Sequence, residues 1–276
     1  MIGWLIYSAL DVEKNKYYIQ MYKDKFKEHF IEIKLVIVEE LENMEQYVKC
    51  NKVDFAINRS RNHIMGELLE QKGVRVFNSS SVTRIANNKG ITYEFLKDVV
   101  PFLAVKYGNE IIESKIENKG FEYPYVIKSC SGHGGSQVFL VNNSKEEEQA
   151  IKAMNGQEYV VQQCCSDLGR DVRVYIIGNK IIKAVLRTST ESFKSNYSLG
   201  GKVQEYTLNN EEKAMVERIV DKLPLDYAGI DFTFHNGKAV FNEIEDAVGA
   251  RMLYQVSDID IVEMYIKHIL EQLSKE

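Results

Sequence analysis

Within the first 80 residues, short apolar runs alternate with amphipathic stretches of helical period. That alternation restricts the fold more than any other feature of the chain. "GWLIYSAL", "IKLVIV", "DFAINRS" and "VRVFN" have the length and β-branched content of strands. Between them, "KYYIQMYKDKFKEHF" spaces Tyr18, Met21, Tyr22, Lys25 and Phe26 along a helix. "NMEQYVKC" makes a shorter helix, and "NHIMGELLEQKG" one that Gly73 ends. Strands alternating with helices imply a parallel sheet covered by helices, here a small doubly wound unit. No GxGxxG follows the first strand, so a dinucleotide site has no support there.

Beyond residue 78 the pattern changes. "NSSSVTRIANNKGITYEFLKDV" offers Asn78 and the serines as helix caps, and Ile91, Phe95 and Leu96 as a helical stripe. "YPYVIKSCSGHGGSQVFLV" reads as two strands around a Gly-rich loop, followed by a helix from about Lys145 to Met154. Residues 158–190 hold three strands, "EYVVQQC", "DVRVYIIG" and "KIIKAVLR"; residues 211–223 are helical. "YAGIDFTFHNGKAVFNEIED" is a hairpin, and "DIDIVEMYIKHILEQL" closes the chain as a helix.

Composition narrows the class. With 276 residues, 45% hydrophobic and 27% charged, the chain has the profile of a soluble globular protein. A net charge of −5 argues against general nucleic-acid binding, so an anionic ligand needs a local basic site. Cys50, Cys130, Cys164 and Cys165 show neither zinc spacing nor a disulfide framework, which points to a reducing, cytoplasmic setting. The N-terminal apolar run lacks a basic region and meets Asp11 and Glu13 at once, as a strand would and a signal peptide would not. No apolar run reaches about 18 residues, so no membrane span is expected.

The hairpin carries the sharpest chemical signal. Asp231, Glu243, Glu245 and Asp246 fall among apolar and small neighbours, where a carboxylate is costly unless paired. Glu243 and Glu245 share a strand face. A two-residue turn at Asn236-Gly237 pairs Asp231 with Asn242 and sets Asp231 and Glu243 on opposite faces. A three-residue loop, 235–237, pairs Asp231 with Phe241 and brings all three acids to one face. The three-residue loop is the expectation here. Three carboxylates together suit Mg²⁺ or Mn²⁺ rather than zinc; a solvated strand face is the alternative.

Two further segments add cations. In "KSCSGHGGSQV", Lys128 ends a strand, and Gly132, Gly134 and Gly135 follow, able to wrap a phosphate with backbone N–H groups. No GK[ST] closes it, so it is not a Walker A loop, and a plain Gly-rich hairpin is the alternative. His133 sits in this loop, as a phosphate contact or as an exposed loop histidine. Arg173 and Arg187 lie in strands with apolar neighbours, as partners of carboxylates or phosphates, or as structural ion pairs. Residues 189–201 form a long polar loop of the kind that covers sites. Two lysines (Lys89, Lys128), a Gly-rich flap, arginines and three acids together are equipment for phosphoryl transfer.

On "DVRVYIIGNKIIKAVLR", "FKSNYSLGG" and "AGIDF…NEIED", in that order and spacing, the chain resembles the ATP-grasp superfamily, most closely its RimK-like branch of glutamate and amino-acid ligases. The resemblance implies an α/β (α+β) fold in three parts: an N-terminal doubly wound domain over 1–88, a central lid with the Gly-rich flap over 89–160, and a C-terminal antiparallel-sheet domain over 161–276. It implies that Lys89, Lys128 and the flap residues Gly134, Gly135 and Ser136 meet ATP phosphates. By the same resemblance Gln163 and Cys164 border adenine, an acid being commoner at the former, and Asp171 and Arg173 lie near the nucleotide. Lys194 and Asn196 stand beside the phosphates and the acyl substrate, Lys194 where arginine is usual. Asp231, Glu243 and Glu245 match metal ligands, Glu245 replacing the usual asparagine. "DAVGAR" replaces the usual turn, making Arg251 a substrate contact or a surface arginine.

The function implied is carboxylate–amine ligation. ATP phosphorylates a carboxylate, with Mg²⁺ or Mn²⁺ as cofactor, Arg187 holds the acyl phosphate, and an amine displaces phosphate. Small carboxylate and amine substrates, a peptide or a carrier protein are the implied partners; Arg59, Arg61 and Lys194 suit a carboxylate-rich one. Neither nucleic acid nor membrane is implied, and a homo-oligomer is left open. An ATP-grasp kinase and a nucleotide-binding protein without catalysis are the alternatives.

Overall fold

The computed structural model describes residues 1–108, 121–135, 137–189 and 201–275. Ile2–Tyr7 (β1), Glu32–Ile37 (β2), Phe55–Asn58 (β3) and Arg75–Phe77 (β4) form a parallel sheet of order β2-β1-β3-β4. The chain steps from β1 to one side, then crosses to the other, so a topological switch point lies between β1 and β3. Ala9–Val12 (α1), Lys16–Glu28 (α2), Met44–Cys50 (α3) and His63–Gln71 (α4) connect these strands. Asn43 and Asn62 cap α3 and α4 through their side chains, and Gly73 follows α4 in the left-handed region at φ +80°.

Ser80–Ala86 (α5) and Lys89–Leu96 (α6) come next. They are two helices, because Asn88 accepts from the Ile91 N–H and starts a new one. Ser79, not Asn78, caps α5. Asn78 is buried, its Oδ1 accepting from the backbone N–H groups of Asp226 and Tyr227 at 2.7 and 3.0 Å. Val105–Tyr107 (β5), Tyr125–Ser129 (β6), Val138–Val141 (β7) and Tyr159–Gln163 (β8) form an antiparallel sheet of order β5-β8-β6-β7, with Ser144–Met154 (α7) packed on it.

Arg170–Ile177 (β9), Lys180–Thr188 (β10), Lys202–Tyr206 (β11), Tyr227–His235 (β12) and Lys238–Glu245 (β13) form the largest sheet, antiparallel in order β11-β10-β9-β12-β13. Its two faces divide by strand alternation. Val172, Val174 and Ile176 pack with Ile85, Leu96 and with Ile219 of Asn210–Lys222 (α8). Tyr175, Ile177 and Tyr227 pack with Tyr22 and Phe26 of α2 and with Tyr265 and Ile266 of Ile261–Leu273 (α10). The parallel unit thus closes over one face of the C-terminal sheet. Arg251–Val256 (α9) is a short helix the periodicity did not reveal. No helix among the described residues is long and apolar enough to cross a membrane.

The hairpin corrects the expected loop. The turn has two residues, with His235 paired to Lys238 and both Asn236 (φ +51°) and Gly237 (φ +75°) left-handed. The acids nevertheless share a face. A β-bulge between Phe232 and Asp231 skips Asn242 and pairs Asp231 directly with Glu243.

Candidate active site

The sheet registers bring the site together. Asp231 pairs with Arg173, Arg173 with Val185, and Asp171 with Arg187. Asp171, Arg173, Arg187, Asp231, Glu243 and Glu245 therefore stand on one face of the C-terminal sheet, at the end that the parallel unit leaves uncovered. A cavity of about 450 Å³ opens there, bounded by all three sheets. Lys89, Lys128, Gln163 and the Gly-rich loop line it, as do Asp171, Arg173 and Arg187. Glu243, Glu245, Arg251, Arg59 and Arg61 also line it. Cys165 lines the cavity and Cys164 does not. Ser136, Lys194 and Asn196 lie outside the described residues.

Asp231 is fully buried beneath this surface. Its Oδ1 accepts from Arg173 Nε at 2.8 Å, and its Oδ2 from Arg173 Nη2 at 2.7 Å and Arg187 Nη2 at 2.6 Å. Arg187 also pairs with Asp171, and Arg173 Nη1 reaches Glu245 at 2.6 Å. Burial works to raise the Asp231 carboxyl, but the two guanidiniums hold it down at about 2. Arg173 and Arg187 thus pair with carboxylates, and both border the cavity.

The lysines approach from elsewhere. Asn88 caps α6, which sets Lys89 at its first position. Lys89 Nζ donates to Gly132 O at 2.7 Å and lies 3.4 Å from Glu243. It therefore ties the Gly-rich loop to the acid strand. Gly134 and Gly135 take φ of +63° and +76°, a backbone that glycine adopts without strain. Lys128, on β6, is buried and donates to Tyr93 OH at 2.7 Å and Asn242 Oδ1 at 3.1 Å. Burial brings its ammonium down to about 8.

Tyr93 and Asn242 are functional neighbours that sequence reasoning missed. Tyr93 OH donates to Asn242 O at 2.7 Å and accepts from Gln162 Nε2 at 3.1 Å. The signal for Tyr93 was its place one helical turn after Lys89. Asn242 offered none, since it is the residue skipped by the bulge.

Glu243 and Glu245 supply hard oxygen donors at the cavity surface. Burial works to raise the Glu243 carboxyl, but Lys89, Lys128 and Arg173 hold it below the usual range, hence ionised. Among the described residues no three His, Cys, Asp or Glu side chains converge into a ligand set. The donors present fit a cation that needs only one or two carboxylates and takes its other ligands from phosphate and water, as Mg²⁺ does.

Residues 94–269 match the RimK-like ATP-grasp domain. The chain belongs to that family. It is 32% identical over 269 residues, 96% of this chain and 91% of the relative, to "Uncharacterized protein MG011" of Mycoplasma genitalium. It is 27% identical over 238 residues to the "Probable alpha-L-glutamate ligase" of Vibrio vulnificus strain YJ016, covering 84% of this chain and 70% of that one. Among solved structures, D-alanine–D-alanine ligase from Bacillus anthracis complexed with ATP superposes with a TM-score of 0.78. That match has 15% identity and covers 100% of this chain and 98% of the other, so the RimK-like chain has the ATP-grasp fold.

Proposed function

We propose that this RimK-like chain is an ADP-forming carboxylate–amine ligase that uses ATP and Mg²⁺. The observation that carries the reading is the convergence of Lys89, Lys128, Arg187 and Glu243 on one cavity beneath the Gly-rich loop. Each comes from a different segment, and a fold has no structural need to gather them there. Lys89 and Lys128 neutralise phosphate oxygens, and N–H groups of the loop about Gly134, Gly135 and Ser136 cover them. Gln163 and Cys164, with Cys165 at the cavity wall, border the base.

Glu243 and Glu245, backed by Asp231, would hold the metal. The ion offsets the charge on the β- and γ-phosphates when bound. A substrate carboxylate oxygen attacks the γ-phosphorus, the bond to the bridging oxygen breaks, and ADP leaves. Arg187 binds the acyl phosphate, and Lys194 and Asn196 flank it. The amine then adds to the carbonyl carbon, the carbon–oxygen bond to phosphate breaks, and a proton is lost from nitrogen. No protein nucleophile enters the sequence.

The test is ADP release with Mg-ATP across amino acids, singly and in pairs, with mass spectrometry of products. Release that requires both a carboxylate and an amine, with a product mass equal to their sum less water, supports the ligase. Release with a carboxylate alone, and no amide, makes it a kinase. Nucleotide binding with no release on amino acids or peptides makes it a binding protein.

A further inference from the structure

Asp246 is the fourth acid of the hairpin, and the ligase reading gives work to the other three. It follows β13 directly, is 2% exposed and does not line the cavity. Its Oδ1 accepts from Asn87 Nδ2 at 2.9 Å, and its carbonyl from Asn78 Nδ2 at 3.4 Å. Thr83, fully buried and one helical turn before Asn87, faces the same carboxylate. Arg59 and Arg61 act on it through space. Arg61 is paired with Asp11. Arg59 is itself buried: Nε donates to Tyr7 OH at 2.8 Å, and Nη2 to the carbonyls of Ala247 and Val248 at 3.0 and 2.8 Å. The ring centres of Tyr18, Tyr7 and Tyr227 lie 5.1 to 5.9 Å from its guanidinium. The parallel unit thus grips the turn just beyond the acid strand, and Asp246 passes that grip to Asn87.

What Asn87 does follows from its place in the chain. It ends α5, with Nδ2 also donating to Thr83 O at 2.8 Å, and Asn88 then caps α6 with Lys89 as its first residue. Asn87 lies two residues before Lys89, and Asp246 three after Glu243. Asn87–Asp246 and Lys89–Glu243 are therefore two rungs between the same two segments, the first involving a buried carboxylate and the second at the cavity surface. The outer rung is a partly exposed ion pair, weak by itself. A phosphate oxygen that takes Lys89 opens it. The inner rung is a hydrogen bond in a low-dielectric setting, where such a bond is stronger. Asn87 can donate to the carboxyl whether or not it is ionised. The inner rung stays closed and keeps Lys89 at its spacing from the acid strand.

We infer that Asp246 is a positioning residue: by holding Asn87 it fixes the start of α6 and so sets Lys89 against the acid strand to receive a polyphosphate. The inference rests on the nucleotide half of the ligase reading and is independent of which amide is made.

The experiment is calorimetric titration of ADP with Mg²⁺, and of adenosine, into the full chain and into Asp246→Ala, Asp246→Asn, Asn87→Ala and the double variant Asp246→Ala with Asn87→Ala. The expected result is that Asp246→Ala weakens ADP by roughly twofold to thirtyfold and leaves adenosine unchanged, since adenosine offers Lys89 no phosphate. Asp246→Asn, whose Oδ1 still accepts from Asn87, keeps most of the ADP affinity and serves where Asp246→Ala fails to fold. Asn87→Ala costs as much as Asp246→Ala, and the double variant no more than either. Equal losses for ADP and adenosine overturn the inference, because they mark Asp246 as a general structural tie. Equal losses in Asp246→Ala and Asp246→Asn, additive losses in the double variant, or unchanged ADP affinity in Asp246→Ala overturn it as well. Failure of the nucleotide reading is distinct: the unaltered chain then binds no ADP, and the inference falls with it before any variant is compared.

Discussion

Arg173 and Asp231 face each other in direct register on neighbouring strands, joined by two hydrogen bonds of 2.8 and 2.7 Å. Arg173 lines the cavity, and Asp231 lies buried beneath it. Asp231 also accepts from Arg187, so one carboxylate holds two guanidiniums in place. Replacing Asp231 with Ala leaves Arg173 with Glu245 and Arg187 with Asp171, each with half its partners. Breaking a buried pair from one side costs about 3 kcal/mol or more. Urea unfolding of Asp231→Ala checks this, and a change below about 0.5 kcal/mol would show that the remaining acids suffice.

Lys128 gives a pH dependence. Its folded-state pKa of about 8 lies below the ordinary lysine value because the ammonium is buried. Phosphate binds the charged form. Below pH 8 the ammonium is already present and nucleotide affinity is flat. Above pH 8 the protein must take up a proton to bind, so affinity falls up to tenfold per pH unit until the pKa of the complex is reached. Titration of ADP between pH 7 and 10 measures the slope, and buffers of different ionisation enthalpy count the proton. A flat profile across pH 8, with no proton uptake, removes Lys128 from phosphate binding.

Much of this architecture was legible because the signals are local. Period-2 and period-3.6 patterns located the strands and most helices, and the order of acids, glycines and arginines identified the family. The break between α5 and α6 depended on which of several Asn and Ser residues caps: Asn88 starts α6, and Ser79 takes the α5 cap because Asn78 is committed to the backbone of residues 226–227. The hairpin hid more. Asn236-Gly237 spoke for a two-residue turn, and shared acids spoke for an odd loop. Both are satisfied by a bulge at Asn242, whose cause is tertiary: Lys128 and Tyr93, from other segments, bond to that residue. No reading of the hairpin alone contains those partners. The tyrosine cage around Arg59 is invisible for the same reason, since its rings come from residues 7, 18 and 227.

Tyr93→Phe tests the network at the bulge. The hydroxyl accepts from Lys128 and Gln162 and donates to Asn242 O. Its removal leaves buried donors and a carbonyl unmet in a packed setting, at a cost of about 1–3 kcal/mol. Thermal unfolding should show the loss. Nucleotide affinity should fall as well, because Lys128 then lacks the partner that aims it. Lowered stability with unchanged affinity would confine Tyr93 to a structural role.

Glu243→Gln separates a working acid from a surface one. Glu243 is half-buried and faces the cavity, 3.4 Å from Lys89. The loss of that single, partly exposed ion pair costs at most about 1 kcal/mol, so the variant folds. Its effect on turnover is of another order. A neutral amide is a weaker ligand for a hard cation, and losing one preorganised electrostatic contact to the transferring phosphoryl group lowers turnover by roughly a hundred- to a thousandfold. Steady-state ADP release at several Mg²⁺ concentrations is the measurement. A drop that high Mg²⁺ partly restores assigns Glu243 to the metal, a drop that Mg²⁺ leaves unchanged assigns it to Lys89, and unchanged turnover returns it to the solvated strand face from which the sequence could not distinguish it.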